Sequence, residues 1–188
     1  MNIEGMKEYL KSNLSNYRCE HCIRVADEAR RLAKYYSCNE ENAYIAGLLH
    51  DIAKEYNEEE NRRIISEYNL DSNLLDDSNK RICHAVIGSV VAKELFKVDD
   101  EICQAIKYHT VGNKNMSFFD KIIFIADKIE SGKKFIGIEE ERKLAYIDLD
   151  KCLLLCLINF KKLLESDNRK LNNDSKELLD YLNSKISI

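Results

Sequence analysis

The sequence predicts an all-α fold, and three observations carry that expectation. The 188 residues hold no proline and only 6 glycines, which removes the turn chemistry on which sandwiches and barrels depend. Apolar residues recur at helical spacing along most of the chain. Alternation of period two is nowhere sustained. At 45% hydrophobic and 33% charged the composition is that of a soluble globular domain, and a chain this long can bury about 70% of its unfolded surface without a disulfide or zinc staple. No repeat, low-complexity tract or composition shift marks a boundary, so a single domain over residues 1–188 is expected.

The elements follow in order. Cys22, Val25, Ala26, Ala29, Leu32, Ala33 and Tyr36 fall at i, i+3, i+4, i+7, i+10, i+11 and i+14, one face of an amphipathic helix. Residues 43–49 are apolar nearly all round and read as a buried central helix. A stripe from His84 runs through Gly88, Val91 and Leu95, and another joins Ile102, Ala105, Ile106 and His109. Ser117-x-x-Asp120 and Asp174-x-x-Glu177 have the form of capping boxes. Between them Leu149, Cys152, Leu153, Cys156, Leu157, Phe160, Leu163 and Leu164 make a long stripe. Loops are expected near 69–79, 110–116, 131–137 and 167–174.

The net charge of −4 leaves no basic excess to hold nucleic acid non-specifically. The longest stretch without a formal charge, Ile82 to Ala92, is far short of the ~20 apolar residues of a membrane span. The first residues are charged and lack the apolar core of a signal peptide. The seven cysteines, odd in number and irregularly spaced, are expected as reduced thiols in the cytoplasm. Cys19-x-x-Cys22 with Cys152-x-x-x-Cys156 would be the alternative, a four-thiolate zinc site. Cys22, Cys152 and Cys156 lie on apolar stripes, which favours packing.

The chemistry concentrates elsewhere. All four histidines, His21, His50, His84 and His109, lie on or beside apolar stripes. A buried imidazole must be hydrogen-bonded or metal-bound, because leaving it unpaired costs about 1–3 kcal/mol. Asp51 follows His50 at the end of the buried helix, and Asp127 interrupts the apolar run 118–126. A salt bridge to a core Arg or Lys is the plainer account of Asp127. Taken together the set is imidazole and carboxylate, which suits Fe, Mn, Zn, Co or Ni with coordination positions left for water or substrate.

The ordered set His21, His50-Asp51, His84, His109, Asp127 resembles the HD superfamily of metal-dependent phosphohydrolases. Within it, Arg18-Cys19-Glu20-His21, the run 47–54, His84-Ala85-Val86-Ile87-Gly88, the run 106–112 and the run 123–130 resemble the bacterial YqeK-type proteins, over roughly residues 15 to 182. The resemblance implies an HD-domain helical bundle with core motifs over 18–133 and helices over 149–186 completing the nucleotide pocket. It also implies hydrolysis of symmetrical dinucleoside tetraphosphates, diadenosine tetraphosphate above all, to two nucleoside diphosphates such as ADP. Iron is the foremost cofactor, as one or two ions, with Mn, Co, Ni or Zn as substitutes. A homodimer is implied too. Lys128 stands where these proteins usually carry Tyr, the proline-bearing segments are proline-free here, and Lys133 keeps a cation without the fork of Arg.

The implied metal ligands are His21, His50, Asp51 and Asp127, lowering the pKa of a bound water toward about 7. His84 and His109 either hold a second ion bridged by Asp51 or donate to the phosphates. Catalytic roles fall to Asp51, Lys54, His84 and His109. Lys54, at i+3 from Asp51, and Arg18, at i−3 from His21, are each as readily a solvated charge on spacing alone, and the resemblance moves both toward phosphate binding. Substrate contacts carry over to Thr110, Asp127 and Lys133, and to Lys170, Leu171, Asn172 and Ser175 for the base. The rivals are another HD-type nucleotide phosphohydrolase, a nucleotide sensor that keeps the metal without turnover, and a helical interaction domain with a structural metal.

Overall fold

The structure is a computed structural model that describes residues 2–76 and 79–186, with the backbone alone at 80 and 81. Its helices are α1 (Ile3–Asn13), α2 (Asn16–Tyr35), α3 (Glu40–Leu49), α4 (Glu58–Glu67), α5 (Lys80–Phe96), α6 (Asp100–Tyr108), α7 (Phe118–Ile129), α8 (Ile138–Leu144), α9 (Leu149–Ser166) and α10 (Asn173–Ile186). A 3₁₀ turn, Ser72–Leu75, precedes α5. Among the described residues there is no strand, so the all-α expectation is met. No helix among them is long and apolar enough to cross a membrane.

Short polar side chains start the helices. Asn39 accepts from the backbone N–H groups of Glu41 and Asn42, Asn57 and Glu60 close a capping box on α4, and Ser117 and Asp120 close the expected one on α7. The box expected at Asp174-x-x-Glu177 does not form. Asn172 caps α10 by accepting from Ser175 N at 3.0 Å, which frees Asp174 to accept from Asn113 and Glu177 to pair with Lys114. With glycine scarce, Ser37, Asn69, Lys97 and Asn168 adopt the left-handed conformation themselves.

The core is a layer of α2, α3 and α7, with α6 packed against α3 and α7 and α9 closing over α7. The α2 stripe is buried as its period predicts from Cys22 to Ala33, and α3 is buried from Ala43 to Leu49. Small residues let these two helices touch backbone to backbone. A Cβ on Gly47 would lie 2.7 Å from the Cα of Ala26. Two stripe positions are not covered as their periodicity suggests: Leu95 at the end of α5 is 52% exposed and Leu163 on α9 57% exposed, although Leu164 beside it is buried. The loop expected at 69–79 contains the 3₁₀ turn, and its residues 77 and 78 lie outside the described residues.

Gly47→Ala brings a methyl group into the α2 backbone, and overpacking of this kind costs about 1–3 kcal/mol. For a chain of this size that corresponds to a melting temperature lower by roughly 3–10 °C, measured by circular dichroism.

Candidate metal centre

The four histidines and two aspartates converge from five segments. His21 comes from the first half of α2, His50 and Asp51 from the end of α3, His84 from the start of α5, His109 from the C-terminus of α6 and Asp127 from α7. All six are buried. The backbone beyond α3 is not α-helical. It tightens into successive turns, with Ile52 N bonded to Leu49 O and Lys54 N to Asp51 O. In such turns residues i and i+3 eclipse, so Asp51 and Lys54 still share a side, with Lys54 Nζ 3.8 Å from Asp51 Oδ1.

Hydrogen bonds on the far side of three of the rings fix which nitrogen faces inward. His50 Nδ1 donates to Gly47 O at 2.7 Å, and His109 Nδ1 donates to Ile106 O at 2.6 Å. His21 Nδ1 donates to the Glu130 carboxylate at 3.2 Å. In the neutral form each of these three rings therefore turns an Nε2 lone pair into the centre. His21 Nε2 and His50 Nε2 stand 3.2 Å apart, so two neutral rings would set lone pair against lone pair. Two ligands about 2.1 Å from one ion at a right angle are separated by about 3.0 Å, so a cation is what this pair fits.

Asp51 faces two such groups. Its Oδ2 lies 3.4 Å from His50 Nε2 and 3.8 Å from His21 Nε2, while its Oδ1 lies 3.2 Å from His84 Nε2 and 3.4 Å from His109 Nε2. Although surrounded, Oδ1 is buried and accepts no hydrogen bond. His21, His50 and Asp51 form one set able to hold an ion, and Asp51, His84 and His109 form another. Asp127 Oδ1 approaches the first set, 3.2 Å from His21 Nε2. It is also paired as the plainer account required, with Lys128 Nζ 2.6 Å from Oδ2. No thiol belongs to either set. Cys19 donates to Leu10 O and Cys22 is fully buried in the core, so the packing account of the cysteines stands.

Burial works against charge on these carboxyls, yet His50 beside it holds Asp51 well below the usual range. For Asp127 burial is likewise outweighed by Lys128 and His21. Burial pushes His109 down to about 4 and lowers His84 as well, so both rings are neutral near pH 7 and offer lone pairs.

Above the centre lies a cavity of about 320 Å³ lined by Arg18, His21, Asp51, Lys54, His109, Thr110, Asp127, Lys128, Lys133 and Phe160. Arg18 Nη1 donates to Asp51 Oδ2 at 2.7 Å, and Lys54 Nζ lies 3.1 Å from His84 Nε2. Burial lowers Lys54 from the ordinary lysine value. Thr110 Oγ1 is 2.9 Å from His109 Nε2. Lys133 Nζ stands 3.9 Å from Asp127 Oδ1. Lys170, Leu171, Asn172 and Ser175 do not line this cavity. Lys170, Leu171 and Asn172 lie in the turn from α9 into α10 and Ser175 in the first turn of α10, braced beside Thr110 by Ser175 Oγ donating to Val111 O at 2.6 Å. Asn172 Nδ2 in that turn is buried and unpartnered.

Three participants have no place among the expected site residues. Glu130 orients His21 and is itself held by Arg24 Nε at 2.6 Å. Lys128 contributes a fourth cation, and Phe160 an aromatic wall. Glu130 carries the one available signal, an acid one turn beyond Asp127 on the same apolar helix.

A buried imidazole–carboxylate centre beneath a cationic cleft, on an all-α frame, is a donor set able to hold a metal ion next to an anion-binding surface. The HD domain family model matches residues 18–132. The chain is 34% identical over 176 residues to the symmetrical bis(5′-nucleosyl)-tetraphosphatase of Bacillus subtilis (strain 168), covering 93% of this chain and 94% of that protein. It is 36% identical over 146 residues to the protein of the same name from Staphylococcus aureus, covering 78% and 75%. A crystal structure from Clostridium acetobutylicum, described as an HD superfamily hydrolase involved in NAD metabolism, superposes with a TM-score of 0.90 at 36% identity, covering 98% of each chain. The chain belongs to the HD family and, within it, to the symmetrical bis(5′-nucleosyl)-tetraphosphatases.

Removing the far-side anchor of a ligand histidine typically weakens metal binding 10- to 100-fold. Glu130→Ala is expected to show a loss of about that size in chelator competition. Cys19→Ala with Cys22→Ala is expected to leave metal content unchanged by elemental analysis.

Proposed function

We propose that this protein hydrolyses diadenosine tetraphosphate at its central anhydride to give two molecules of ADP. The observation that carries the reading is the Asp51 carboxylate, shared between two groups of imidazoles with Arg18 and Lys54 beside it. His21, His50, Asp51 and Asp127 would hold one ion, and Asp51, His84 and His109 a second. Iron is the proposed metal, with Mn, Co, Ni or Zn able to substitute on the same ligands. Such ions polarise phosphoryl oxygens and acidify a bound water.

The remaining work falls to the chain's own groups. A tetraphosphate brings several negative charges into a partly buried site, and Arg18, Lys54, Lys128 and Lys133 are placed to neutralise them. Arg18 and Lys54 flank Asp51, where charge builds on the phosphoryl group and on the departing diphosphate. The Thr110 hydroxyl, 2.9 Å from His109 Nε2, would be released to donate to a phosphate oxygen once an ion takes that lone pair. Neutral His84 and His109 have lone pairs directed at the same point as Asp51 Oδ1. The turn 170–175 is the proposed seat of one nucleoside. We further propose a single domain over 1–188, a homodimer, and a cytoplasmic location.

Anaerobically purified protein is expected to contain iron by elemental analysis and to convert diadenosine tetraphosphate to ADP alone. ATP with AMP among the products would overturn the symmetrical reading, and metal-loaded protein without turnover would favour a sensor.

Asp51→Ala is expected to lose metal and activity together. Lys54→Ala should keep its full metal complement while kcat/KM falls about 30- to 1000-fold, the effect of losing a preorganised donor worth about 2–4 kcal/mol. Metal stoichiometry and kcat/KM measured on the same preparations separate the two roles.

A further inference from the structure

A second cavity, of about 340 Å³, adjoins the metal centre, lined by Lys128, Lys133, Phe135, Glu141, Cys156, Asn159, Phe160 and Leu163. Lys128, Lys133 and Phe160 also border the cavity over the centre, so the two are continuous. The volume lies in the range of small-molecule sites. Its walls are mainly apolar, and Phe135 and Leu163 are 44% and 57% exposed, more apolar surface than the packing of α8 on α9 requires.

One polar group in this wall is incomplete. Glu141, on α8, is 1% exposed. Asn159 Nδ2 donates to its Oε1 at 2.8 Å, and the thiol of Cys156, a weak donor, lies beside it. Its Oε2 is buried and accepts no hydrogen bond. An unpaired buried carboxylate oxygen costs free energy that a ligand N–H would recover. The segment opposite is fixed: Arg142 donates to Ile129 O at 3.0 Å, Glu130 O at 2.8 Å and Lys133 O at 3.1 Å, holding the loop that carries Lys133 and Phe135.

We infer that this cavity is a second nucleoside subsite, where a purine base stacks against Phe135 and Phe160 and gives its exocyclic amine to Glu141 Oε2. The inference rests on the reading under Proposed function. A symmetrical tetraphosphate cut at its centre extends a nucleoside diphosphate to each side of the metal. The turn 170–175 lies beside Thr110 on one side. Lys128 and Lys133 lead phosphates away on the other, into an apolar chamber ending in an unfilled hydrogen-bond acceptor.

The test compares diadenosine tetraphosphate with adenosine 5′-tetraphosphate, which has one nucleoside and can seat it in the turn. Stacking on an aromatic ring and a hydrogen bond to a carboxylate each support about a tenfold effect. Phe135→Ala and Glu141→Gln are each expected to raise KM for diadenosine tetraphosphate about tenfold. kcat should change less than about twofold, the signature of lost uniform binding. KM for adenosine tetraphosphate should stay within the same margin. Equal effects on both substrates, or none, overturn the subsite. Titration of metal-loaded protein gives a readout independent of turnover: two ADP per wild-type chain and one in Leu163→Trp, which fills the chamber. One ADP per wild-type chain overturns the subsite even where cleavage is symmetrical. Absence of tetraphosphate cleavage by wild type overturns the functional reading, and the ADP count still decides the subsite.

Discussion

Everything at the centre depends on the close contact of α2 and α3. Gly47 removes the one Cβ that would hold these helices apart at Ala26, and the contact sets His21 Nε2 3.2 Å from His50 Nε2. The carbonyl of Gly47 also accepts from His50 Nδ1. One residue thus fixes the distance between two rings and the tautomer of one of them. Side-chain repacking cannot restore a backbone approach of this kind, which is why small residues at positions 26, 29 and 33 accompany it.

The six groups of the centre were legible in the sequence because each is polar where helical period calls for an apolar residue. That mismatch is strong evidence when four histidines share it. The same logic misreads stripes whose partner is missing. Leu95 and Leu163 sit in register with buried residues but are about half exposed, and periodicity reports the face of a helix, never what lies opposite. The i, i+3 spacing of Asp51 and Lys54 puts them on one side whether the segment is helix or tight turn, so spacing alone does not distinguish the two. Asp174 and Glu177 have the right spacing for a cap, yet Asn172 stands two residues earlier, immediately before α10, and takes the role.

Glu130 and Lys128 illustrate a different limit. Each acts through a neighbour, Glu130 on His21 across the bundle and Lys128 on the adjacent Asp127. On sequence alone an acid and a lysine near a helix terminus look like surface charge. What distinguishes them is burial supplied by α2 and α9, elements distant in the chain. The cations around the cleft have opposing roles for the same reason. Arg18 and Lys128 now compensate the carboxylates, and a polyphosphate would have to share them.

The unpaired Asp51 Oδ1 and the facing imidazole lone pairs have a consequence for the lifetime of the protein. A folded chain that gathers these groups without a cation carries a destabilising core, and the unfolded chain does not. Metal binding therefore stabilises the native state by an amount that grows with the logarithm of free metal, about 2.7 kcal/mol at a hundredfold excess over the dissociation constant. Proteases act on the fraction of molecules that open. When metal is scarce that fraction rises, so the steady-state amount of this protein would follow metal supply before any change in its synthesis.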